Sequence, residues 1–81
     1  MERILKIGNA FHAALDGYEI HPSFRTAIQV MRNNPQLVKT IKSWDEMLWL
    51  CVEEFLNSMK GPLSRESQDK FEYACALLDK D

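Results

Sequence analysis

The sequence predicts an all-α fold, a compact bundle of four to five short helices around a central helix at about residues 44–60. Three observations carry that prediction. Apolar residues recur at spacings of three and four through most of the chain. The prolines, with Gly17 and Gly61, stand between those periodic runs. Strand-like alternation never lasts more than a few residues. Eighty-one residues make a single domain, residues 1–81. A chain of that length buries only about 60–65% of the surface its unfolded form exposes, so its core is thin.

The elements follow in order. From Glu2 to Leu15, Ile4, Ile7, Phe11 and Leu15 fall at helical spacing, and Gly17 is the stop. Gly8 lies at the edge of that apolar face, where a missing side chain lets another helix approach closely. "GYEIHP" is a connector whose Tyr18 and Ile20, two apart, can tuck over the core. His21 precedes Pro22 and is biased toward extended backbone, so the second helix begins just after it. "PSFRTAIQVMRNN" puts Phe24, Ala27, Ile28 and Met31 on one face and Arg25, Gln29 and Arg32 on the other.

Asn34 as N-cap and Pro35 in the first helical position open a short third helix over "PQLVKTIK", with Leu37 and Ile41 inward. Ser43 and Glu46 form a capping box for the fourth helix, although the third and fourth could form one bent rod. That helix ends at "KGP". Lys60 suits the negative helix end, Gly61 supplies a left-handed residue, and Pro62 cannot continue. Ser64 caps a last helix, Arg65 to Asp79, with Phe71, Ala74, Cys75 and Leu78 inward.

Composition excludes several classes. The two cysteines, Cys51 and Cys75, have no paired spacing, which argues against a disulfide scaffold and for a reducing, cytoplasmic setting. Glu2, Arg3 and Lys6 interrupt the N-terminal apolar residues, unlike a signal peptide, and no run reaches the ~18–20 residues of a membrane span. No membrane partner is expected. The formal net charge is only −2, but it is unevenly spread. Residues 20–44 hold Arg25, Arg32, Lys39 and Lys42 with no acid, whereas from Asp45 onward nine acidic residues face four basic ones. Such asymmetry marks a binding surface in some proteins and plain solvated faces in many more.

The stretch "SWDEMLWLCVEEFL" of the fourth helix is the most informative. At 100° per residue, Met47, Cys51, Trp44, Phe55, Leu48, Met59, Val52, Leu56 and Trp49 fill an apolar arc of about 200°, wider than a surface helix needs. Trp44 reads as a core anchor and Trp49 as a marginal residue. Leu50 falls outside the arc, among Glu46, Glu54 and Asn57, with Lys60 and Glu53 beside Trp49. A lone exposed leucine is commonplace. An apolar residue ringed by carboxylates beside a tryptophan also has the composition of a contact site.

Chemistry is scarce. His12 and Asp16 are four apart and could share a face, but recognised metal motifs need more ligands. His21 reads as a loop residue, and both cysteines as small core residues. The acidic pairs 45–46 and 53–54 are adjacent in sequence and so diverge on a helix. There is no nucleophile elbow, zinc-protease motif or phosphate-cradling glycine loop. The expectation is a protein that is not an enzyme and takes no cofactor and no metal.

Two functional expectations follow. The first is a small protein–protein interaction module, an adaptor, regulator or stoichiometric inhibitor. It would bind another protein, or a second copy of itself as a homodimer, through Trp49, Leu50, Glu46, Glu53 and Glu54. Size alone suggests an accessory protein of phage or mobile-element type. The alternative is a helix-turn-helix-like nucleic-acid binder using Arg25, Gln29, Arg32, Lys39 and Lys42. The calculated pI of about 5.6 argues against it.

Overall fold

The computed structural model describes residues 2–38, 41–59 and 61–79, with residues 41–43 described by their backbone alone. Four α-helices account for most of the described chain: α1 (Glu2–Leu15), α2 (Pro22–Asn33), α3 (Ile41–Ser58) and α4 (Arg65–Asp79). The all-α bundle expected from periodicity is the observed architecture. A one-turn 3₁₀ helix, Pro35–Leu37, follows α2.

Helix α1 has the closest backbone neighbours, α4 on one side and α2 on the other. Both pairings are antiparallel. Arg3 donates to the Leu77 carbonyl at 2.8 Å, while Phe11, two turns along α1, meets Phe71. On the other side Arg32 donates from Nε to the Asn9 Oδ1 at 3.0 Å, and Phe11 meets Phe24. Helix α3 joins the core through Leu48, Val52 and Phe55. Its backbone stands farther off than those of α2 and α4 from α1.

The four phenylalanines of the chain form one continuous cluster that crosses the core. Phe24 meets Phe11 edge-on (centroids 5.5 Å), Phe11 meets Phe71 edge-on (5.9 Å), and Phe71 meets Phe55 in a tilted pair (5.7 Å). Such geometries set the positive edge of one ring against the negative face of another. Around them lie Ile4, Ile7, Ala14, Leu15, Ala27, Ile28, Met31, Val38, Leu63, Ala74 and Leu78, all buried. The radius of gyration, 11.8 Å, equals the ~12 Å of a well-packed domain of this length.

Turn chemistry fixes the connections. Gly17 has φ of +85° and follows the end of α1, as a left-handed stop requires, with the Tyr18 amide bonded back to the Leu15 carbonyl. His21 serves as the N-cap of α2: its Nδ1 accepts from the Ser23 amide at 3.1 Å, and Pro22 occupies the first turn. Ser64 caps α4 as expected, its Oγ accepting from the Ser67 amide at 3.2 Å.

The boundaries of α3 differ from expectation. Of the third helix expected over "PQLVKTIK", Pro35–Leu37 form a single 3₁₀ turn, where Asn34 makes no side-chain cap, and Ile41 and Lys42 open α3, the Ile41 side chain lying outside the described residues. Val38, extended and buried, takes the inward position, and Leu37 is 64% exposed. Helix α3 begins at Ile41, so Ser43 already lies inside its first turn, two residues beyond the helix start. At the other end α3 stops at Ser58, whose hydroxyl donates to the Glu54 carbonyl at 2.8 Å. This is the serine back-bond to the carbonyl four residues earlier, made alongside the helical ladder, and the Met59 amide bonds to the Phe55 carbonyl just beyond it. Gly17 is the one described glycine with positive φ, so Gly61 is not the left-handed cap. Lys60, expected to favour that helix end, lies outside the described residues.

Candidate protein-interaction surface

Helix α3 carries an apolar arc wider than its neighbours cover. The fully covered stripe is Leu48, Val52 and Phe55. Trp44, Trp49, Cys51 and Met59 pack against the core from its margins and remain partly exposed. Met47, at one limit of the arc, and Leu56, next to Trp49 at the other, are 39% and 46% exposed. Trp44 is therefore a marginal packing residue over α2, beside Pro22 and Ala27, rather than a fully enclosed anchor.

Leu50 is 61% exposed on the pole of α3 opposite the buried stripe. Glu46 and Glu54 lie one turn to either side of it and Glu53 three residues on, all exposed. Trp49 turns toward α4, with Glu53 one turn along the same flank. It lines an open trough between α3 and α4, together with Val52 and Leu56 on one side, Phe71 and Cys75 on the other, and Leu63. The structure thus separates two neighbours in sequence: Leu50 stands among carboxylates in solvent, and Trp49 belongs to the α3–α4 trough. Sequence reasoning missed the trough, because it named the α3 residues without placing α4 beside them.

Both thiols are held protonated. Burial lifts Cys75 to about 11, with the Glu72 carboxylate adding to the push. Burial also raises Cys51, with Glu54 adding. Neither site favours the thiolate that nucleophilic chemistry needs. Among the described residues, no three of His, Cys, Asp and Glu are placed to hold a metal ion. His12 and Asp16 are both exposed, in the cleft between the end of α1 and α2.

The residues of the nucleic-acid alternative are only partly placed. Arg25, Gln29 and Arg32 line that same α1–α2 cleft, and Arg32 is engaged with Asn9. Lys39 and the side chain of Lys42 lie outside the described residues. The element after α2 is one 3₁₀ turn, too short to serve as the recognition helix of a helix-turn-helix.

No protein-family model matches the chain, and no curated protein and no solved structure matches it. Among the described residues, no helix is long and apolar enough to cross a membrane.

Proposed function

We propose that this chain is a small non-enzymatic protein–protein interaction module, an adaptor, regulator or stoichiometric inhibitor, that binds another protein through the apolar and acidic surface of α3. One observation supports this reading above the others: Leu50, 61% exposed, projects from the pole of α3 opposite its core stripe, among Glu46, Glu53 and Glu54. Covering a leucine that now faces water is worth about 1.5–3 kcal/mol. Carboxylates around it would steer a basic partner and repel an acidic one. Trp49, on the adjoining flank, extends the apolar surface toward α4.

The test is capture with the tagged chain from lysate of the source cell, with nuclease present, comparing wild type with Leu50→Glu. A protein retained in near-stoichiometric amount by wild type and lost by Leu50→Glu is the expected result. Equal capture by both would sink the Leu50 surface. Binding that vanishes with nuclease would shift attention to Arg25 and Arg32.

A further inference from the structure

The trough between α3 and α4 has about 700 Å³ of open space and an apolar lining, and among the described residues the charged side chains that line it are carboxylates. Trp49, Val52, Leu56 and Met59 form one wall; Phe71, Cys75 and Ala76 form the other. The charged residues lining it, among those described, are Glu72 and Asp79, and Arg65 stands exposed one turn before Gln68 at the N-terminal end of α4. Glu53, one turn after Trp49, adds a third exposed carboxylate beside the α3 wall. From Trp49 to Met59 the wall is about 15 Å long at 1.5 Å per residue, which is close to three helical turns.

We infer that this trough is the seat of a basic amphipathic helix supplied by a partner protein, with the partner's apolar stripe on the apolar lining and its lysines or arginines against Glu53, Glu72 and Asp79. The inference rests on the interaction reading above and names the partner's chemistry. Length and openness suit a helix that lays one apolar face into a groove. Charge decides between occupants. A second copy of this chain docked trough to trough by two-fold symmetry would bring each carboxylate set against its own image, and like charges so placed disfavour the pair. A basic helix meets Glu72 and Asp79 along the α4 wall, with Glu53 exposed beside the α3 wall.

The experiment uses the full chain carrying Trp44→Phe, so that Trp49 is the sole tryptophan reporter. The probe is a synthetic peptide of about three helical turns with leucines at helical spacing and lysines on either side of that stripe. A second peptide replaces every lysine with glutamate. The lysine peptide is expected to change Trp49 emission, to bind more weakly as salt rises, and to lose about tenfold in affinity with Leu56→Lys or Ala76→Lys. Both positions are exposed, so both variants should fold, and circular dichroism checks that they do. The glutamate peptide should bind far more weakly.

Equal binding of the two peptides would reduce the trough to a charge-blind apolar patch and overturn the inference. So would an absence of binding, or a dimer in sedimentation that Leu56→Lys breaks. The captured natural partner separates the two proposals. A partner lost by Leu50→Glu but indifferent to Leu56→Lys and Ala76→Lys sinks the trough and keeps the interaction reading. Indifference to all three sinks both.

Discussion

The phenolic oxygen of Tyr18 accepts a hydrogen bond from the Ser64 amide at 3.0 Å, joining the α1–α2 connector to the residue that caps α4, 46 positions away. This one contact ties two loops together at the same end of the bundle. Tyr18→Phe keeps the ring over the core and removes the acceptor. Amide exchange at Ser64 should then accelerate and the first turn of α4 should fray, while α2 exchange stays as it was. Unchanged protection at Ser64 would show that the bond contributes nothing to the cap.

Two alkaline ionisations act on stability with opposite signs. The Ser64 amide, donating to its oxygen, holds Tyr18 below its ordinary value of 10.0. The folded state therefore binds that proton more weakly than the unfolded chain, and stability gains as pH rises through the lowered value toward 10.0. Cys75 runs the other way, from 9.0 unfolded to about 11 folded, mainly through burial. Its contribution is complete below pH 9.0 and is lost as pH climbs through about 11. In urea titrations across that window Cys75→Ala should flatten the fall in stability, and Tyr18→Phe should steepen it. A fall that Cys75→Ala leaves untouched would locate the alkaline sensitivity elsewhere.

The glycines separate three physical roles. A Cβ built on Gly8 would stand 2.8 Å from the Met31 Cβ and 3.1 Å from the Arg32 Cγ, so Gly8→Ala must push α1 and α2 apart. Overpacking of this kind costs about 1–3 kcal/mol. Gly17→Ala meets no atom but forces a side chain onto φ of +85°, costing about 1 kcal/mol or more. Gly61→Ala meets neither obstacle and should be neutral or slightly stabilising, because it narrows the unfolded ensemble. Denaturant midpoints of the three variants test this order. A loss at Gly61 as large as at Gly17 would restore the left-handed cap that the sequence suggests.

Which parts of the fold are legible from sequence follows from the range of the forces involved. Gly17, Ser64 and the Gly8 approach act within a turn or across one helix face, and the residues announce them. The 3₁₀ turn at Pro35–Leu37 is not legible, because the helical spacing that would turn Leu37 inward loses to Val38, which the core takes instead. The α3 arc misleads for a related reason. An apolar arc of about 200° states how much surface a helix would bury, whereas the neighbours decide how much is covered. Here they cover Leu48, Val52 and Phe55 and leave Leu56 and Met47 to solvent. That difference between apolar and covered surface produces the trough, so the candidate site is visible only once α4 is placed.

Phe11 is the residue on which the core most depends, since it touches both Phe24 and Phe71 and is fully buried. Phe11→Ala should cost about 3–5 kcal/mol, a large share of the stability of a domain this small. Its thermal transition should broaden or disappear in circular dichroism. Phe11→Leu should retain a cooperative transition at lower temperature. A cooperative, unshifted melt of Phe11→Ala would mean that the cluster is not the keystone of the core.

Leu50 and Trp49 demand different variants, because only one of them is free of the core. Trp49 packs against the core, so Trp49→Ala should destabilise by about 1–3 kcal/mol, and lost binding alone would not distinguish a missing contact from a loosened fold. Leu50 makes no such demand, yet Leu50→Glu adds a fourth carboxylate within a turn of Glu46, Glu53 and Glu54. Like charges at that spacing cost about 0.2–0.5 kcal/mol per pair. Leu50→Gln avoids the added charge at nearly the same helix propensity and should leave the melting temperature unchanged. If partner binding is lost with Gln and with Glu alike, the leucine is an apolar contact. If Gln binds normally and only Glu fails, the carboxylate pattern governs association and Leu50 is an ordinary exposed leucine. Affinity measured for both variants at two salt concentrations separates these cases, since the charge effect shrinks with salt and the apolar one does not.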